Sequence, residues 1–407
     1  MGGRQSSEAG TRMGIQEGTS SAGWFVSRIR PLCPKPAEAQ ATMRAQLCST
    51  ISLEERIAIK MQRTKIVAGA VLWLSAIPAC AQKTEFWVGN QDASVASFLA
   101  HRDKIDIISP TWYHFDQNGL VSGEPQAVIL KAAKEAHLTI IPLFALFNHQ
   151  QLHILVGDEK AQDALIQSML RECRNHGYNG VNLDIEDVMW TDRDGLSAMV
   201  KKIADALHQQ HLQVQIDVVP NAPGYPGASG FSTWIFQEWR GAYDLKALAQ
   251  SVDLICLMTY DQSTHWTVPG PVDGWIWTKQ NIDYALQFVP RHKLSLGIAL
   301  YGYHWYTGDP GFNGKDHTPN PTADYISEPA AIHLRDTWGG KTQWDAVEHT
   351  PWFYIDRDQM REWVFYTNQR AFMDRFNLAK QYGIQGVCAW DLGDEDPAIW
   401  AAIPAQR

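Results

Sequence analysis

Asn182, Asp184 and Glu186 are spaced by two within the run Gly177-Tyr178-Asn179-Gly180-Val181-Asn182-Leu183-Asp184-Ile185-Glu186. On a β-strand that spacing places all three side chains on one face. Acids on a face that is apolar upstream are expensive to build for stability alone. The chemistry they suit is proton donation, because a carboxyl group buried beside a second carboxylate is held protonated and can donate to a leaving-group oxygen. Taken alone, the pair also fits helix-capping or surface acids just past a strand. Other strand-like runs end in similar groups. Met258-Thr259-Tyr260-Asp261 offers a phenol and a carboxylate, and Tyr301-Gly302-Tyr303 and Trp390-Asp391 add aromatic rings. Trp112, just past an earlier strand, fits either a further aromatic face of a cleft or core and rim packing. An aromatic floor beneath convergent carboxylates suits a pyranose ring, whose apolar face stacks on such side chains.

The elements that would bring these residues together recur in a regular order. Short apolar runs read as strands at Phe86–Val88, Ile105–Ser109, Leu138–Leu143, Gly180–Asp184, Leu212–Val219, Asp253–Tyr260, Leu294–Tyr301 and Gly386–Trp390. Helical periodicity separates them, most clearly over Leu196–Gln209, where Asp192 and Asp194 supply an acidic start. Trp234–Gln250, Thr278–Val289 and most of Arg361–Tyr382 are also expected to be helical. Eight strand–helix cycles predict an α/β fold, a (β/α)8 TIM barrel, whose functional residues lie at the carboxyl ends of its strands. The turn-rich segment after Gly302 predicts a small α+β insertion between strands 7 and 8, over about 303–360, with a few antiparallel strands walling the cleft. No phosphate-cradling glycine loop is present.

The 407 residues are 45% hydrophobic and 19% charged, a globular balance. Seventeen tryptophans exceed what a core of this size usually needs. Residues 61–81 read as a signal peptide: a basic opening at Met61–Lys65, an apolar run from Ile66 to Ile77, and a small-x-small site at Ala79-Cys80-Ala81. Secretion or periplasmic export is the expectation; Pro78 fits a lipoprotein site poorly. Residues 1–60 read as a non-native upstream extension or a disordered leader, leaving residues 82–407 as the catalytic barrel. That part holds 25 Lys and Arg against 39 Asp and Glu, a formal net charge of −14, because residues 1–81 contribute ten basic and five acidic side chains to the whole-chain −9. Nucleic acid and anionic membranes are therefore poor partners, and no transmembrane segment is expected in the mature chain. Cys173, Cys256 and Cys388 lie in apolar or helical runs without metal-ligand spacing. Free buried thiols are the simpler expectation, with a single bridge as the alternative.

Taken together and in order, these motifs resemble glycoside hydrolase family 18, the chitinases and related N-acetylglucosaminidases. The family pattern Asp-Gly-x-Asp-x-Asp-x-Glu is matched by Asn179–Glu186, Met-x-Tyr-Asp by Met258–Asp261, the Lys-Leu-x-Leu-Gly-x-x-Leu-Tyr-Gly run by Lys293–Gly302, and the closing tryptophan by Trp390. Gly180–Glu186, Tyr260-Asp261-Gln262, Tyr303 and Leu392–Pro397 resemble the branch of bacterial spore-cortex and cell-wall N-acetylglucosaminidases. The resemblance implies retaining, substrate-assisted cleavage of β-1,4-linked N-acetylglucosamine glycans, peptidoglycan or chitin, without metal or cofactor, by a monomer. Glu186 would be the acid and later the base, Asp184 would orient the 2-acetamido group, and Tyr260 and Asp261 would hold its carbonyl. Trp390, Asn182, Trp112, Tyr303 and Gln262 complete the expected substrate-binding set. Asn182 stands where chitinases carry an aspartate and cannot share a proton with Asp184, which implies a shifted pH profile. The alternative is a chitinase-like lectin; such proteins typically lose the acid, and Glu186 is retained.

Overall fold

Alternation along parallel strands sorts the side chains into two apolar layers in a computed structural model that describes residues 82–306 and 323–404. The strands are β1 (Lys83–Val88), β2 (Ile107–Pro110), β3 (Tyr113–Phe115), β4 (Val121–Ser122), β5 (Thr139–Ile140), β6 (Leu143–Phe147), β7 (Gly180–Glu186), β8 (Gln213–Val218), β9 (Leu254–Leu257) and β10 (Leu294–Ala299). An inserted sheet follows, with β11 (Tyr301–Trp305), β12 (Ala323–Ser327), β13 (Gln343–Asp345), β14 (Thr350–Arg357) and β15 (Met360–Phe365), before β16 (Gly386–Trp390).

The main sheet runs β4-β3-β6-β7-β8-β9-β10-β16-β1-β2-β5. Its two ends are one pair of strands seen twice. β2 continues into β3 and β5 into β6, each broken briefly, and β2 pairs with β5 as β3 pairs with β6. The Ile141 amide donates to the Ile108 carbonyl at 3.0 Å, and the Asn182 amide to the Pro142 carbonyl at 2.9 Å. The sheet therefore closes on itself as the (β/α)8 barrel.

Val181, Leu183 and Ile185 of β7 and Val214, Ile216 and Val218 of β8 point outward into the layer beneath the helices. Leu196, Met199, Val200, Ile203 and Leu207 meet them from the helix Arg193–His208. Each such fully buried side chain stabilises by roughly 1.5–3 kcal/mol. The alternate residues, Asn182, Asp184, Gln215 and Asp217, face into the barrel and are buried as well.

Local signals aim β7. The helix Glu159–His176 starts on Asp158, whose side chain accepts from the Lys160 and Ala161 amides, and ends at Gly177 with φ 68°. That left-handed turn favours glycine. Gly180 opens β7 where a Cβ would stand 2.1 Å from the Gln213 carbonyl oxygen, so only glycine lets β8 approach.

The insertion is a five-stranded antiparallel sheet in the order β12-β11-β15-β14-β13, with the helix Glu328–Trp338. It begins at Tyr301, earlier than the expected boundary, because the seventh strand breaks at Leu300 and its continuation pairs with β12 and β15. Residues 361–365 belong to strand β15, and the helix starts only at Gln369, capped by Asn368. Alternating Met360-Arg361-Glu362-Trp363-Val364-Phe365 suits a strand, and its pairing with β14 overrides the helical periodicity read across it. Fully buried Arg375 pairs with Asp273 at 2.7 Å and donates to the His349 carbonyl at 2.8 Å, tying the loop after β9 to the insertion. The expected signal peptide and residues 1–60 lie outside the described residues. No helix among the described residues is long and apolar enough to cross a membrane.

Two of the three cysteines in residues 82–407 correct the expectation of free thiols. Cys256 of β9 and Cys388 of β16 form a disulfide, 132 residues apart in sequence, and Cys173 is free and buried. Both cysteines face the barrel interior from the strands flanking β10. A loop of that length is stabilised by about 3–5 kcal/mol when closed. Replacing both cysteines by serine is expected to lower the midpoint of thermal unfolding by several degrees. An unchanged midpoint would show that the bridge contributes nothing.

Candidate active site

The carboxyl end of β7 presents Asp184 and then Glu186 into the barrel mouth, side by side on one strand face. The Tyr243 hydroxyl donates to the intervening Ile185 carbonyl at 2.7 Å and fixes the strand end. Burial raises Glu186 well above the ordinary glutamate value, and the neighbouring Asp184 and Asp261 carboxylates raise it further. Burial alone lifts Asp184 to about 7. The site therefore holds protons at a pH where exposed carboxyls have lost them.

Past the end of β9, Asp261 adopts φ 58°, a left-handed conformation that costs a non-glycine residue about 1–2 kcal/mol. Two phenols hold it there: Tyr301 donates to Oδ1 at 2.6 Å and Tyr303 to the same oxygen at 3.2 Å. Desolvation pushes Asp261 up and these two bonds pull it down. Tyr260 packs with its ring centroid 6.3 Å from that of Tyr301. Burial and the surrounding Asp217, Asp184, Glu186 and Asp261 keep its hydroxyl protonated far above the ordinary value, a standing hydrogen-bond donor. Trp390 ends β16 partly exposed, 5.6 Å from the Trp87 ring of β1.

Glu186, Asp184, Tyr260, Asp261 and Trp390 thus belong to the ends of strands β7, β9 and β16, with Tyr303 behind Asp261. Three sequence candidates take other places. Trp112 is 3% exposed and lies in the outer apolar layer, its ring 6.0 Å from Tyr178, because the break between β2 and β3 sets it there. Asn182 is completely enclosed below Asp184, where it donates to Asp217 at 2.9 Å. Gln262 uses its side-chain oxygen to accept from the Gly274 amide at 2.8 Å, closing the base of the loop that carries exposed Trp266.

Several residues of this region have no counterpart in the sequence motifs. Asp217 and Gln215 of β8 and Glu85 of β1 fill the barrel beneath the mouth, and burial lifts Glu85 to about 8. With its amide turned to satisfy both partners, Gln215 donates to the two Glu85 oxygens at 2.8 and 3.1 Å. The polar alternation Gln213, Gln215, Asp217 was a usable signal, since it marks an inward face. Tyr325 of β12 stacks on Tyr301 at 4.3 Å and donates to Asp391 at 3.2 Å and Asp394 at 2.7 Å, latching the insertion to the end of β16.

A closed (β/α)8 barrel sets its functional groups at the carboxyl ends of its strands, and buried acids there beside an aromatic floor suit acid-catalysed cleavage of a glycosidic bond. The chain belongs to the glycosyl hydrolases family 18, whose model matches residues 103–396. It is 24% identical over 319 residues to the uncharacterized glycosylase YvbX of Bacillus subtilis, covering 76% of this chain and 87% of that one. It is 24% identical over 303 residues to the cortical fragment-lytic enzyme of the same organism, covering 72% of this chain and 66% of that one. In fold it matches the crystal structure of a chitinase from Chromobacterium violaceum with a TM-score of 0.69 at 22% identity, covering 79% of this chain and 98% of that one.

Proposed function

We propose that the protein hydrolyses β-1,4-linked N-acetylglucosamine glycans, with the substrate's own acetamido group as nucleophile and the anomeric configuration retained. The observation that carries this reading is that Asp184 sits beside Glu186 on one strand face. Two carboxylates so placed cannot flank a glycosidic bond from opposite sides, as direct nucleophilic or water-activating schemes require. Asp261 is likewise committed, its Oδ1 accepting from two tyrosines.

In the first step the Glu186 carboxyl proton passes to the glycosidic oxygen as the C1–O bond breaks. The acetamido carbonyl oxygen bonds to C1, while Asp184 accepts from the acetamido N–H and stabilises the positive charge that develops. Tyr260 donates to the carbonyl oxygen and positions it. In the second step water attacks C1, gives its proton to Glu186, and the acetamido group reopens. Trp390 forms the apolar floor under the reacting sugar. Peptidoglycan is the favoured substrate, supported by the motifs shared with the cell-wall branch and by the likeness to a relative named for cortical fragment lysis. Export from the cytoplasm is supported by the Cys256–Cys388 bridge, because disulfides persist in oxidising compartments.

Product analysis on chito-oligosaccharides and on purified peptidoglycan, run in parallel, tests the reading. Cleavage of both or of peptidoglycan alone supports it, and cleavage of neither defeats it. The raised Glu186 also sets a pH dependence. The acid must be protonated to act, so activity is lost as pH rises through its raised value. The alkaline limb of kcat/KM is expected well above the ordinary glutamate value of about 4.3. An alkaline limb near pH 4–5 would contradict a buried acid.

A further inference from the structure

Asp217 of β8 lies beside Asp184 of β7 in the parallel register, and both are buried, at 1% and 4% exposure. Each presents a buried Oδ1 atom without a hydrogen-bond partner among the described residues, while the other oxygen of Asp217 accepts from Asn182 Nδ2 at 2.9 Å. The titratable groups around Asp217 are Glu85 from β1, Asp184 and Glu186 from β7, Tyr260 past β9, and Tyr243. No cation is among them. Two neighbouring buried carboxylates without a cation cannot both ionise, and one proton between them resolves the conflict.

The geometry points to Asp217 as a positioning residue for the reaction: it shares one proton with Asp184 and so keeps Asp184 ionised and aimed at the acetamido group. Asn182 fixes which oxygen carries the proton. Its donation occupies Oδ2 of Asp217, leaving Oδ1, which has no partner among the described residues, as the oxygen that holds the proton. The middle position of the β7 motif, which cannot itself hold an acidic proton, thus orients an acid supplied by the next strand. This inference rests on the function proposed above for Asp184, but the proton sharing itself does not.

Two experiments separate them. Carbon-13 NMR titration of the aspartate carboxyls in the full wild-type protein reads the dyad without reference to activity. The Asp184 and Asp217 signals are expected to move together through a common step. Independent single steps at different pH overturn the proposal, whether or not the enzyme is active. In kinetics, Asp217→Ala removes the donor and leaves Asp184 alone in its buried site. The acid limb of kcat/KM is expected to move up by about one pH unit, a tenfold loss on its acid side, carried by kcat and not by KM. Asp217→Asn keeps the shape and offers an N–H toward Asp184, so its acid limb is expected to return to the wild-type position. A pH-independent loss of equal size in both variants would reduce Asp217 to a structural residue and overturn the proposal. If the alanine variant does not fold, the NMR titration decides alone.

Discussion

Glu186→Gln is expected to lower kcat by roughly 10²–10⁴-fold, the range for losing a positioned general acid. Glutamine keeps the size and polarity of the side chain and removes only the transferable proton. Glu186 sits at the outer end of β7, and its carboxyl makes no ion pair among the described residues. The loss should therefore appear in kcat, with KM and the thermal midpoint near wild type. Burial raises the Glu186 carboxyl, so folding must keep it protonated above its ordinary value at a cost in stability; glutamine removes that cost, and the variant is expected to be at least as stable as the parent. Equal activity of variant and wild type would remove Glu186 from the mechanism.

Asp184→Asn is expected to lower kcat by about 10²–10³-fold, comparable to losing one preorganised group facing developing charge. The carboxylate is needed because positive charge builds on the acetamido nitrogen as its oxygen closes on C1. An amide can accept one hydrogen bond but carries no compensating charge. The deficit should be largest for cyclisation, so a stable cyclic mimic of that intermediate is expected to bind the variant more weakly by a similar factor, while the product sugar binds about equally. Rates within a few-fold of wild type would mean that Asp184 serves only to raise the Glu186 proton affinity.

Much of this site was legible because strand chemistry is local. Spacing by two placed Asp184 and Glu186 on one face, and polar groups at the ends of two later strands gave Tyr260, Asp261 and Trp390 their positions once the barrel was inferred. What was not legible depends on pairing between distant strands. Cys256 and Cys388 meet only because β9 and β16 flank β10. Asn182 reads as a cleft residue until the depth of its layer is known, and its partner Asp217 lies 35 residues away in sequence. Trp112 looks the same in sequence whether it faces a sugar or a helix, and the break between β2 and β3 decides. The insertion was legible as an aromatic, turn-rich segment, but its start at Tyr301 is set by pairing with β12 and β15.

The central claim is that the acetamido group of the substrate attacks C1 with Glu186 as acid. The most direct measurement is proton NMR of the first anomer released from a chito-oligosaccharide, taken before mutarotation equilibrates it. Retention predicts the β-anomer in the early spectra. An initial α-anomer would contradict the mechanism, because inversion requires water to attack C1 directly.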